Sequence, residues 1–470
     1  MRYLSTRGHS EALRFEDVLL AGLAPDRGLY VPAEWPRLDR APENDADAYA
    51  ETAARMLAPF AGPWLDLSSL GSLAGEVYRR FDHAEVAPLR RIGEEDWLLE
   101  LFHGPTLAFK DIAMQLIARL FDHALRDQGG RTTVLGATSG DTGAAAIEAF
   151  RGARAVDVVI LYPKGRISDV QRRMMTTVVE PNIVNVAVEG TFDDCQGIVK
   201  ALLSDPALSA ERRLSAVNSI NWARLAAQAV YYVTALNALR SRHGVESASF
   251  SVPTGNFGDA FSGYAAMQMG APIDRICVAV NKNDIVHRAI ERGDYWPGPA
   301  AATTSPSMDI QLASNFERLL FEAVGRNAER VRELMQALSE RGGYRIPNDA
   351  LATIQARFVS CRVSEAKNRM TIARTLEENG ILIDPHTAVG LAAAHKARRE
   401  GRLTGAVVTL ATAHPAKFPD AVEAASGRRP ELPARFADLS ARKERVIDAP
   451  ASVDAVRRIL SDRLSATNWV

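Results

Sequence analysis

Cysteine is scarce here: three residues among 470, at positions 195, 277 and 361. They lie far apart, with no paired metal-ligand or redox spacing, so buried, reduced thiols in a cytoplasmic protein are the expectation. Net charge is almost absent as well. Fifty-six Lys and Arg against 57 Asp and Glu leave a formal charge of -1, which removes any global electrostatic case for nucleic acid or anionic membranes. No apolar run approaches membrane-spanning length, and residues 1–8 lack the apolar stretch of a signal peptide. There is no repeat, no low-complexity segment, no P-loop and no Gly-x-Gly-x-x-Gly fingerprint. His103, His386 and His414 have no ligand spacing to one another, so no metal is expected.

What is present is strand–helix alternation. Residues 132–137, 156–162, 183–188, 248–253 and 276–280 read as strands separated by helical patterns, the longest at 222–239. The run 156–162 is nearly continuous aliphatic, as a strand buried on both faces should be. Residues 283–308 read as a long loop, and helices dominate 314–379. Residues 381–383, 386–398 and 406–410 then resume the alternation. The pattern predicts an α/β protein of mostly parallel sheets with helices on both faces. Residues 1 to about 92 show no such alternation and read as an N-terminal extension.

In such sheets ligands bind where strand ends meet helix starts. The stretch Phe102-His103-Gly104-Pro105-Thr106-Leu107-Ala108-Phe109-Lys110-Asp111 leads into Ile112, Leu116, Ile117, Leu120 and Phe121 at helical spacing. Lys110 therefore falls at a helix start in partly apolar surroundings. Both conditions disfavour an extra positive charge and would make its amine nucleophilic; the alternative is a solvated lysine. The turn Gly255-Asn256-Phe257-Gly258-Asp259 follows a strand pattern and precedes a helix. Its glycines and free N–H groups suit a phosphate, although an ordinary tight turn has the same look. Thr138-Ser139-Gly140-Asp141-Thr142-Gly143 suits a carboxylate, or is a plain helix cap. Asn218, Ser219 and Arg224, around a further helix start, could hold a second phosphate, or be a cap and a surface charge. Thr412, at the end of a strand, could meet a ring nitrogen or satisfy local backbone.

These motifs together resemble the threonine synthases, a family of fold-type-II pyridoxal-phosphate enzymes. The resemblance rests on His103 to Asp111, on Tyr3-Leu4-Ser5-Thr6-Arg7-Gly8 and on Gly28-Leu29-Tyr30-Val31-Pro32. It continues through Ala137 to Gly143, Asn218-Ser219-Ile220-Asn221 and Gly255 to Asp259. Asp384-Pro385-His386-Thr387 and Ala413-His414-Pro415-Ala416-Lys417-Phe418 complete it. It implies two open, mostly parallel sheets, as in the tryptophan synthase β subunit, plus an N-terminal domain. The implied division is 1–93 as N-terminal domain, 94–131 with 241–425 as the large cofactor domain, 132–240 as a small mobile substrate domain, and 426–470 as a helical tail.

The resemblance also implies roles. Lys110 would bind pyridoxal 5'-phosphate covalently and shuttle protons. Gly255, Asn256, Phe257, Gly258 and Asp259 would cradle the cofactor phosphate, and Thr412 would meet the pyridine nitrogen. Thr138, Ser139, Gly140, Asp141 and Thr142 would grip the substrate near its carboxylate. Asn218, Ser219 and Arg224, with Lys164 as a further candidate, would hold the phosphate of O-phospho-L-homoserine. The implied reaction forms threonine and phosphate in the cytoplasm, in a monomer or homodimer. A phospho-lyase or a deaminating dehydratase with the same cofactor is the enzymatic rival. A non-catalytic relative that works through protein partners is the other.

Overall fold

The computed structural model describes residues 1–9, 11, 13–38, 49–128, 130–205, 207–208, 213–215 and 220–465. The strands in chain order are β1 (Tyr3–Ser5), β2 (Tyr30–Pro32), β3 (Leu89–Arg91), β4 (Asp96–Glu100), β5 (Thr132–Ala137), β6 (Val156–Pro163), β7 (Ile183–Glu189) and β8 (Leu214–Ser215). They continue with β9 (Ala248–Pro253), β10 (Ile273–Val280), β11 (Asp294–Tyr295), β12 (Tyr344–Arg345), β13 (Phe358–Arg362), β14 (Val407–Ala411) and β15 (Ile447–Pro450). The chain forms two compact units. The first comprises Met1–Leu19, Leu23–Ile112 and Ser219–Pro430; the second comprises Leu20–Gly22, Ala113–Asn218 and Glu431–Val470.

The first unit carries a six-stranded sheet in the order β13–β10–β9–β14–β4–β3, parallel except for the β3–β4 pair. Its central strands β9 and β14 are buried at every residue, because helices cover both faces. The helix Pro385–Arg399 packs Val389, Ala392, Ala393 and Ala397 against Cys277, Val359, Cys361 and Val407. Its alanines let the helix lie close to the sheet. The antiparallel ribbons β1–β2 and β11–β12 also belong to this unit, as does the long helix Trp222–His243.

The second unit carries a wholly parallel sheet in the order β15–β7–β6–β5–β8. Its core joins Leu135, Val159, Leu161 and Val186 to Cys195 and Leu202 of the helix Phe192–Leu203 and to Val456 and Leu460. Residues 431–470, where the sequence pattern offered an amphipathic helix alone, thus also supply an edge strand.

Two expectations are corrected. The 283–308 stretch holds the helix Ile285–Arg292, β11 and the short 3-10 helix Pro306–Met308. The two-turn helix buries Ile285, Val286, Ala289 and Ile290 on one face, a signal swamped in the sequence by the Pro- and Thr-rich residues that follow. Residues 381–383 form no strand. Gly380 ends one helix in the left-handed region and Asp384 caps the next, so residues 381–383 serve as the link between two helices. Ile381 and Ile383 instead fill a cluster with Leu98, Ile372, Leu391 and Val422. No described helix is long and apolar enough to cross a membrane.

Candidate active site

Lys110 is the first residue of the helix Lys110–Gln128 and is buried, its ammonium nitrogen 4.7 Å from the centre of the Phe109 ring. The preceding loop is strapped down on several sides. Phe109 N–H donates to the Thr412 carbonyl at 2.9 Å, and His414 N–H to the Leu107 carbonyl at 3.0 Å. Lys417, fully buried, donates from Nζ to the Thr106 carbonyl at 2.7 Å. From the other side the Asp111 carboxylate accepts from Thr106 N–H at 2.7 Å and from the Thr106 hydroxyl at 2.6 Å. Burial pushes the Asp111 carboxyl up to about 6, against the pull of the Thr106 hydrogen bonds and the Lys417 charge. Leu107 is held in the left-handed region, at φ 61°, a strain that this strapping sustains. The loop leading into Lys110 is thereby tied to the backbone at Thr412.

The turn 255–259 follows β9, and Phe257 at φ 63° starts the helix Gly258–Gln268 without any side-chain cap. Its first N–H groups are thus left to an outside acceptor. Gly255 has no room for a side chain: a Cβ there would meet the Ser307 carbonyl oxygen at 2.4 Å. Ser307 is in turn fixed by His386, whose Nε2 accepts from Ser307 N–H at 3.2 Å. That requires the proton on Nδ1, which lies 2.7 Å from the Asp384 carboxylate. The Asp259 side chain points away from the turn and accepts from the hydroxyls of Tyr231 and Tyr232. Its Oδ2 is buried with no hydrogen-bond partner among the described residues. Burial pushes this carboxyl up to about 6, opposed by the two tyrosines and by the charge of Lys110.

Arg224 is buried near the start of the helix Trp222–His243, and burial pushes its guanidinium down to about 10. Asn218 and Ser219 lie outside the described residues. In the second unit, the Thr138 hydroxyl accepts from the N–H groups of Gly140 and Gly143, at 3.0 and 2.8 Å. Gln171 donates to the Asp141 carboxylate at 2.8 Å. Ser139 and Thr142 are left partly exposed. Lys164, half exposed, faces two carboxylates, Asp448 at 2.9 Å and Glu189 at 3.6 Å.

The structure thus gathers Lys110, Thr412, residues 255–259 and Arg224 in the first unit, and residues 138–142 with Lys164 in the second. Sequence reasoning missed Tyr231 and Tyr232, and it quoted Asp111, Asp384, His386 and Lys417 within motifs without giving them the supporting contacts seen here. Buried charge inside a motif was the available signal for Asp111 and Lys417; for the tyrosines, apolar patterning concealed it.

Residues 2–78 match the family model for the threonine synthase N terminus, 84–356 that for pyridoxal-phosphate dependent enzymes, and 387–460 that for the threonine synthase C-terminal region. The chain is 48% identical over 464 residues to the threonine synthase of Pseudomonas aeruginosa, with 98% of each chain covered. Its structure is similar to that of the pyridoxal-phosphate-bound threonine synthase from Brucella melitensis, with TM-score 0.93, 47% identity and coverage of 98% of this chain and 99% of that one. The yeast threonine synthase gives TM-score 0.93 at 36% identity, with 99% of each chain covered. A buried lysine whose loop is tied to the backbone at Thr412, an uncapped helix start in the same unit and likeness over nearly the whole length lead to one assignment: this chain belongs to the threonine synthase family of pyridoxal-phosphate-dependent enzymes.

Proposed function

We propose that this enzyme converts O-phospho-L-homoserine and water to L-threonine and phosphate, the last step of threonine biosynthesis, in the cytoplasm. The observation that carries the reading is the strap of hydrogen bonds between residues 107–109 and 412–414, which ties the loop leading into Lys110 to the backbone at Thr412. The residues present fit the cofactor. The uncapped helix start after Phe257 and the bare face of Gly255 offer a cradle for its phosphate, and the buried Lys110 amine can bind its aldehyde carbon. Thr412, a neutral hydroxyl, would meet its ring nitrogen. When bound, pyridoxal phosphate supplies a sink for the negative charge that develops at the substrate carbons.

The chain's own residues do the rest. With the cofactor bound, the Lys110 nitrogen would remove the proton from the substrate α-carbon, held by its place at a helix start. Ser139 and Thr142, with the N–H groups of the 138–143 turn, hold the substrate carboxylate. Arg224, with Asn218 and Ser219, holds the phosphate that departs from the γ-carbon; Lys164 is a further candidate for that anion. A proton is lost from the β-carbon as phosphate departs, a proton is returned to the γ-carbon, and water then adds at the β-carbon. A buried arginine, whose charge is costly to desolvate, gains most from an incoming dianion that compensates that charge.

A coupled assay on O-phospho-L-homoserine tests the reading, with threonine and phosphate appearing in equal amounts. An oxo acid formed without threonine would reject it in favour of a phospho-lyase or dehydratase. Borohydride reduction of the loaded protein, followed by peptide mapping, should label Lys110.

A further inference from the structure

Four consecutive residues outside every motif singled out in the sequence grip four of those motifs between them. Asn315 donates twice to the Asn256 carbonyl in the phosphate turn, from its N–H and from its side-chain amide, both at 3.1 Å. The Phe316 ring meets the Phe257 ring edge-on, with centroids 5.2 Å apart. The Glu317 carboxylate accepts from the Thr6 hydroxyl at 2.6 Å and from Arg7 at 2.9 and 2.7 Å. Arg318, fully buried, donates to the Tyr30 carbonyl at 2.9 Å, to the Ile220 carbonyl at 2.5 Å and to the Asn315 side-chain oxygen.

Ordinary helix chemistry does not account for this. Asn315 stands at the N-cap of the helix Phe316–Ala323, yet its side chain makes no capping bond; it faces Asn256 and Arg318 instead. Arg318 has no carboxylate among its hydrogen-bond partners, and burial pushes its guanidinium down to about 9. A cation this costly to bury is retained where its fork does something that an apolar side chain could not. Here the fork ties together three segments remote in sequence.

We propose that Arg318 is a positioning residue that, through Asn315 on one side and Ile220 on the other, sets the cofactor-phosphate turn at a fixed separation from the chain leading into Arg224. The inference rests on the functional reading above, since it gives those two stretches their anions. Arg318 touches neither anion. It acts by denying the Asn256 and Ile220 carbonyls any other position, so that N–H groups and guanidinium are aimed before either phosphate arrives.

The test uses Asn315→Ala and Arg318→Lys, with three readouts: the dissociation constant of pyridoxal phosphate from the apoprotein by fluorescence titration, KM against kcat for O-phospho-L-homoserine, and Tm. Asn315→Ala should weaken cofactor binding about fivefold and leave KM within about twofold, because it loosens only the phosphate turn. Arg318→Lys cannot serve all three acceptors. It should weaken cofactor binding and raise KM together, each about tenfold, with kcat changed less. The double variant should bind cofactor no more weakly than Arg318→Lys, since both act by one route.

Asn315→Ala that binds cofactor as tightly as the unaltered protein would overturn the proposal. So would Arg318→Lys that loses only Tm. If Arg318→Lys fails to fold, the Asn315→Ala titration decides alone. Unaltered protein that binds no pyridoxal phosphate would refute the functional reading itself, a result distinct from either of these.

Discussion

At the turn 255–259 the N-cap residue, Phe257, lies in the left-handed region, and no side chain caps the helix that follows. At the turn 138–143 the Thr138 hydroxyl already accepts from Gly140 and Gly143, and Asp141 is held by Gln171. Both follow a buried parallel strand and both are rich in glycine and hydroxyl or amide side chains. The first turn is supported from behind, by Ser307, Asn315 and His386, and keeps its N–H groups for a ligand. The second satisfies the N–H groups of Gly140 and Gly143 through its own Thr138, leans on Gln171 only at Asp141, and offers what is left, Ser139 and Thr142. Support from outside suits a cofactor that stays bound through many turnovers. Internal satisfaction suits a site that must hold its shape each time a substrate leaves.

The comparison is broken most severely at the first unit. Lys110→Ala should lower turnover by at least about a thousandfold, because the nucleophile and proton carrier are both lost. Tm should move by no more than a few degrees, since the residue starts a helix whose core contacts begin at Ile112. Next comes Gly255→Ala, whose Cβ would have to displace backbone at Ser307. Cofactor affinity should fall about a hundredfold while KM, measured at saturating cofactor, stays within about threefold. The matching change in the other turn is Gly140→Ala. That residue sits at φ 130°, and a Cβ would press on the Gln171 side chain. It should raise KM about tenfold and lower Tm, yet leave cofactor affinity alone. Parallel effects of the two changes on cofactor affinity would show that the turns do not divide the work.

Much of this could be read ahead of the structure, for a physical reason. The strands β5 and β9 fall at 132–137 and 248–253 because a strand covered on both faces has to be continuously apolar, and a glycine turn marks its end. Lys110 opens its helix because a proline turn and an apolar repeat leave it nowhere else to lie. The support behind the turns was not legible. Asn315 before a helix reads as a cap, and Glu317 with Arg318 reads as a solvated pair; only the packing shows Asn315 and Arg318 aimed at distant carbonyls and Glu317 at the Thr6 hydroxyl and the Arg7 guanidinium. β15 was invisible because Ile447 to Pro450 is four residues with a proline, stable only as an edge beside β7.

The smallest expected effect separates shape from charge at Asp259. Burial raises this carboxyl from its ordinary 3.8 to about 6. Between about pH 4 and pH 6 the folded apoprotein therefore holds a proton that the unfolded chain has released. The stability this group contributes is full below about pH 4 and is lost as pH rises through about 6. Asp259→Asn keeps an oxygen to accept from Tyr231 and Tyr232 but has no charge to bury. The Tm of the apo variant should match that of the unaltered apoprotein near pH 4 and exceed it by a few degrees at pH 8. A gap of the opposite sign at pH 8 would mean that Lys110 and the two hydroxyls more than offset desolvation. Asp259 would then be a counter-ion to the catalytic amine, and the first turn would carry a charge of its own to match the anion it receives.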